Sequence, residues 1–141
     1  GRFLVGTPPV LALAAIEAGL DLIQAAGLER LRAKSVRQSE YLVALWRAWL
    51  EPLGVALNSP RDPARRGSHI ALGHPDGWRI NRALIETAGV IPDFRPPDSL
   101  RLGLAPLYTT FAEVREALWR FRQVLVERRH TAYPISRPAV T

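Results

Sequence analysis

The order of elements legible in the sequence predicts an α/β fold. The expectation is a two-layer α+β domain, with helices covering one face of a small, mostly antiparallel sheet. Two observations carry it. Two long helical periodicities open the chain, and the pattern then changes to strand–helix–strand–strand–helix. Size and composition agree, since 141 residues, 48% hydrophobic and 23% charged, suffice for one packed core.

The stretch TPPVLALAAIEAGLDLIQAAG, residues 7–27, predicts the first helix. Thr7 is its expected N-cap, proline follows where a missing N–H costs nothing, and Gly27 marks the stop. Glu17, Asp21 and Gln24 form one narrow polar stripe, whereas Val10 to Ile16 is apolar on every side. Such a helix needs cover all round, and its uncharged run is too short to span a bilayer, so burial against another domain or subunit is expected. Residues 28–51 predict an amphipathic helix with Leu28, Leu31, Ser35, Leu42, Trp46 and Trp49 at helical spacing. Its two tryptophans read as core aromatics.

NSPRDPARRG is a loop by its proline, aspartate and glycine content, and VALN before it a short strand. SHIALGH reads as a strand, PDG as a turn, and WRINRALIETAG as a short helix closed by Gly89. VIPDF and SLRLGL are two further strands separated by RPPD. The last helix opens on a capping box, Thr110 and Glu113, with Phe111, Val114, Leu118, Phe121 and Leu125 along its seam. Residues 131–141 read as a loose tail.

The net charge of +6 comes from 18 Arg and one Lys, Lys34, against 13 acids. The basic residues alternate with acids along helical faces and form no stripe, so neither nucleic acid nor a membrane is the expected partner. With no cysteine, disulfides and thiolate metal sites are excluded, and a cytoplasmic location is the expectation. The chain holds no methionine and opens on GRFLVGTPPV with no leader, so it is expected to begin inside a longer protein.

Arg101 is the most informative single residue. In a strand over residues 99–104, Leu100, Leu102 and Leu104 face the core, while Ser99, Arg101 and Gly103 face away. A guanidinium between small neighbours resembles a pocket floor, and its planar fork matches a carboxylate bidentately. On pattern alone the competing reading, an exposed strand arginine paired with Asp93 or Asp98, outweighs it. Thr7 beside free helical N–H groups is a second anion perch, for phosphate, with an ordinary N-cap as its competitor. His69 and His74 lie on opposite strand faces, His130 falls near the tail, and no metal site is expected. Adjacent Ser68 and His69 make a poor nucleophile–base pair, and Lys34 reads as a solvated surface lysine.

Several stretches together, RFLVGTPPVLALAAIEAGLDLI, LRAKSV, SPRDPARRGSHIAL and GVIPDFRPPDSLRLGLAPLYT, resemble the C-terminal third of bacterial kynureninases. The likeness runs over nearly all of residues 2–129, with the Gly-Thr-Pro-Pro opening and the Arg-x-Gly-x-x-Pro-Leu-Tyr segment in order. It implies the C-terminal small domain of a fold type I enzyme, a homodimer that uses pyridoxal phosphate to hydrolyse kynurenine to anthranilate and alanine. Residues 1–27 would link to a large domain, 28–130 would form the small domain, and 131–141 the tail. By the same resemblance Arg101 holds the substrate α-carboxylate. Thr7, with Gly6 beside it, approaches the cofactor phosphate of the neighbouring subunit, and Arg95 and Tyr108 line the entrance. The Schiff-base lysine falls upstream and Lys34 does not replace it, so the chain alone is expected to be inactive. Two alternatives remain open: a sister class V aminotransferase-like enzyme, such as a cysteine desulfurase, and a stand-alone basic binding module without catalysis.

Overall fold

The computed structural model describes residue 6 and residues 8–135. Four helices are found there: α1 (Val10–Ala26), α2 (Leu28–Trp49), α3 (Gly77–Ala88) and α4 (Phe111–Val126). The strands are β1 (Ala56–Leu57), β2 (His69–Gly73), β3 (Asp93–Arg95) and β4 (Ser99–Gly103). They pair antiparallel in the order β1-β2-β4-β3. This is the expected two-layer α/β small domain.

The sheet's two faces follow from strand alternation. Ile70 and Leu72 of β2 and Leu100 and Leu102 of β4 are buried, and with Leu42, Trp46, Ile80, Leu84, Leu118 and Phe121 they form one core. Each fully buried side chain of this size contributes about 1.5–3 kcal/mol of transfer free energy. The helix layer runs α2–α4–α3 across that face. Two edge-to-face ring pairs lock α2 to α4, Tyr41–Phe111 at 5.6 Å and Trp49–Trp119 at 5.7 Å. Both pairs advance by eight residues in the same sense, so the two helices run parallel.

Several boundaries differ from the sequence reading, each for a local reason. α1 starts at Val10 behind Pro9, with no side-chain cap, and the expected cap Thr7 lies outside the described residues. α2 stops at Trp49 because Pro52 cannot continue it, and Glu51–Leu53 form one 3-10 turn instead. Its buried stripe is Ser35, Gln38, Ser39, Leu42 and Trp46, while Leu28 is 68% exposed. The strand expected over VIPDF shrinks to Asp93–Arg95. Pro92 has no N–H for a ladder, and the Val90 N–H closes the end of α3 by donating to the Leu84 carbonyl at 3.0 Å.

Residues 129–133 are docked rather than loose. Arg79 Nε and Nη2 donate to the carbonyls of Tyr133 at 2.9 Å and Thr131 at 2.7 Å, and His130 is buried. The NSPRDPARRG loop is likewise fastened. Arg66, its side chain only 3% exposed, donates to the Pro60 and Arg61 carbonyls, to Ser39 Oγ and to the Glu40 carboxylate.

α1 stands apart. None of its residues is buried, and Leu11, Val10 and Leu22 are 89%, 66% and 60% exposed. It meets α2 at a bend of 78° around Gly27, whose φ of +82° is a conformation that suits glycine. Among the described residues no single helix is long and apolar enough to cross a membrane.

Candidate functional site

Arg101 lies mid-strand in β4, the third strand of the sheet, and its side chain rises from the face that the helices leave uncovered. The ladder sets its neighbours. Ala71 of β2 is directly across on one side and Asp93 of β3 on the other. Along β4 the flanking residues on that face are Ser99 and Gly103, both small. The side chain is 36% exposed, and it is paired with Asp93, as the competing reading of an exposed strand arginine expects.

Its partner is Asp93. Arg101 Nε donates to Asp93 Oδ2 at 3.0 Å, and Nη2 donates to the same oxygen. Arg95, two residues along β3 from Asp93, also reaches Oδ2 with Nε and Nη2, both at 3.1 Å. The Arg101 hydrogen bonds, and then those from Arg95, hold the Asp93 carboxyl below the usual carboxylate range. Asp93 therefore stays ionised, and the trio carries one net positive charge. Ion pairs this open to water contribute little to stability, so the cluster's chemistry is that of an anion site with one cationic edge to spare.

Beside it, Asn58 Nδ2 donates to Ser99 Oγ at 2.6 Å, extending the polar surface of the open face towards β1. Tyr108 is 75% exposed in the turn after β4 and forms the rim of an apolar hollow of about 270 Å³. Leu102, Leu104, Thr109 and Val114 line that hollow, and Arg101, Asp93 and Arg95 do not. Arg101 and Arg95 are thus brought together, and Tyr108 lies past the strand end near Gly103. Gly6 sits in an exposed bend with no atom of the other described residues within 4 Å of where a Cβ would be, and Thr7 lies outside the described residues.

The remaining polar residues take structural parts. Ser68 Oγ pairs with Ser35 Oγ at 2.7 Å rather than with a histidine. His74 accepts the Asp76 N–H on Nδ1 at 3.0 Å, and burial lowers its pKa below 6.5 despite the opposing pull of Asp76. Its ring meets His130 edge-to-face at 6.4 Å. Among the described residues no three His, Asp or Glu side chains are placed to hold a metal ion. Sequence reasoning did not single out Arg66 within the NSPRDPARRG loop. The one available signal was the Pro-rich run around it, which has to be tied down by something.

A family model described as "Kynureninase C-terminal domain" matches residues 31–121. The chain is 36% identical over 140 residues to a kynureninase of Geobacillus thermodenitrificans, covering 99% of this chain and 32% of that protein. It is 39% identical over 124 residues to a kynureninase of Pseudomonas fluorescens, covering 88% of this chain and 30% of the relative. A kynureninase of Bacillus anthracis is 34% identical over 140 residues, again 99% of this chain and 32% of the relative. The chain spans about a third of the length of the curated relatives it matches.

Proposed function

The chain belongs to the kynureninase C-terminal domain family, and on that footing we propose that it is the substrate-carboxylate domain of an enzyme that hydrolyses L-kynurenine to anthranilate and L-alanine. The observation that carries the reading is Arg101. It is a cation on the sheet's uncovered face, flanked by small side chains, with Nη1 donating to no group among the described residues. A guanidinium edge offers two parallel N–H donors to a carboxylate, which fixes orientation as well as position. Arg101 accordingly binds the amino-acid carboxylate and sets the angle at which the rest of the substrate enters. Arg95 and Tyr108 flank the approach.

The intact protein works as a homodimer with pyridoxal phosphate, which supplies an electron sink when bound. The described residues do not by themselves form a seat for that group. The chain's one lysine, Lys34, is half-buried on α2, in the helix layer, with its charge acting on Glu113. In this reading residues 1–27 lead from a large domain into the small domain of residues 28–130, followed by the tail from 131. Thr7 and Gly6 reach the cofactor phosphate held by the neighbouring subunit, as a hydroxyl beside free helical N–H groups is suited to do.

The test is Arg101→Lys in the full-length protein carrying this chain. Lysine keeps the charge and loses the fork, so KM for L-kynurenine should rise by about tenfold or more, with far-UV and thermal transitions unchanged. An unchanged KM in a folded, active variant would remove Arg101 from the carboxylate role.

A further inference from the structure

We propose that Asp93 is the positioning residue for Arg101: it occupies the Nε–Nη2 edge of the guanidinium and so holds the Nη1–Nη2 edge out towards the substrate carboxylate. The inference rests on the reading of Arg101 as the carboxylate clamp and adds a residue to it. Three features of the open face support it.

The first is register. Arg101 has Asp93 across one ladder and Ala71 across the other, so an acid on one side faces a methyl group on the other. An arginine with three aliphatic carbons would otherwise sweep a wide cone, at a cost in rotamer entropy on binding. Its attraction to β3 removes that freedom before a ligand arrives, and the small Ala71, Ser99 and Gly103 leave the opposite side clear.

The second is how the donors are divided. Both contacts from Arg101, Nε at 3.0 Å and Nη2, go to the single oxygen Oδ2. Nη1 is left with both hydrogens, and Nη2 with one, so the far edge keeps the geometry of a two-pronged donor. A pairing through Nη1 and Nη2 would have consumed that edge.

The third is the anchoring of Asp93 itself. Arg95 reaches the same Oδ2 with Nε and Nη2 at 3.1 Å, so that oxygen is also held by a guanidinium of its own strand and resists following Arg101 outward. Two cations and one anion leave a net charge of +1. A single carboxylate neutralises the trio.

A carboxylate beside a carboxylate-binding arginine has an alternative reading, in which Asp93 competes with the ligand for the fork. The two readings predict opposite signs. In the full-length protein, Asp93→Ala should raise KM for L-kynurenine about tenfold while kcat changes by less than about threefold, because the fork is present but unaimed. Asp93→Asn, which preserves shape and one acceptor oxygen, should fall between and serves where the alanine variant does not fold. A second readout needs no turnover. In the 141-residue chain labelled at arginine, the Arg101 Nε–H resonance should be sharper and slower to exchange than in Asp93→Ala, with Asp93→Asn in between, while backbone signals of β2 and β4 stay in place. A fall in KM, or no change in both KM and the Nε–H resonance, overturns the positioning role. If Arg101→Lys raises KM under the same conditions, that failure belongs to Asp93 alone. If Arg101→Lys also has no effect, the carboxylate reading itself fails.

Discussion

A methyl group added at residue 77 would sit 2.5 Å from the Asp98 carbonyl oxygen and 3.2 Å from the Phe94 ring. Gly77 opens α3 beneath the β3–β4 turn, and the same Asp98 carbonyl accepts the His74 N–H at 3.2 Å. The backbone oxygen cannot rotate away as a side chain would, so Gly77→Ala should cost about 1–3 kcal/mol. Urea denaturation should show it as a lower midpoint with an unchanged slope. At this scale the sequence is partly legible. Alternation along SLRLGL was enough to put Arg101 on the uncovered face, and glycine in PDG was enough for a turn. Which acid meets Arg101 was not, because Asp98 is nearer in the chain and Asp93 is nearer only once the strands pair. The choice depends on where β3 starts, and that is decided by Pro92 and by the Val90 N–H turning back to α3. Buried His130 was illegible for a related reason, since its neighbours, His74 and Asp76 ahead of α3 and the Val124 carbonyl of α4, come from other elements.

Among the elements, α4 shows the closest agreement between local sequence and structure. Thr110 Oγ1 accepts the Glu113 N–H at 3.1 Å, and Glu113 Oε2 accepts the Thr110 N–H at 2.7 Å, closing the capping box that T-x-x-E implies. The Thr110 N–H and then the Thr110 hydroxyl, which also donates to Oε2 at 2.8 Å, lower the Glu113 pKa. A carboxylate whose folded pKa lies below its unfolded value of 4.5 stabilises fully above 4.5, and the contribution fades as pH falls through the folded value. Loss of the N-cap hydroxyl in Thr110→Ala should cost about 1 kcal/mol near neutral pH. The difference from the parent chain, measured by thermal unfolding, should narrow on acidification. α2 was less legible than α4. Its buried stripe centres on Gln38, whose Nε2 donates to the Thr109 carbonyl at 2.7 Å, and a polar residue at that position gives no periodicity signal. Only the parallel seating of α4 makes that residue an interior one.

On the scale of the whole molecule, the helix layer and sheet form one body while α1 extends from it. The two-layer fold was legible because both helical and strand periodicities have apolar partners within the chain. The partner of α1 was not, since nothing among the described residues covers it. Its conformation has a kinetic consequence. A helix of 17 residues with no buried side chain relies on its own backbone hydrogen bonds, and isolated helices of about this length are marginal in water. Its amide protons should therefore exchange with deuterated solvent many times faster than those of α4, whose seam lies in the core. In the full-length protein the same peptide should become slow if residues 1–27 are sandwiched between two domains, and stay fast if they are not. The exchange clock of one segment, read in two chain lengths, thus measures how α1 is covered without reference to catalysis.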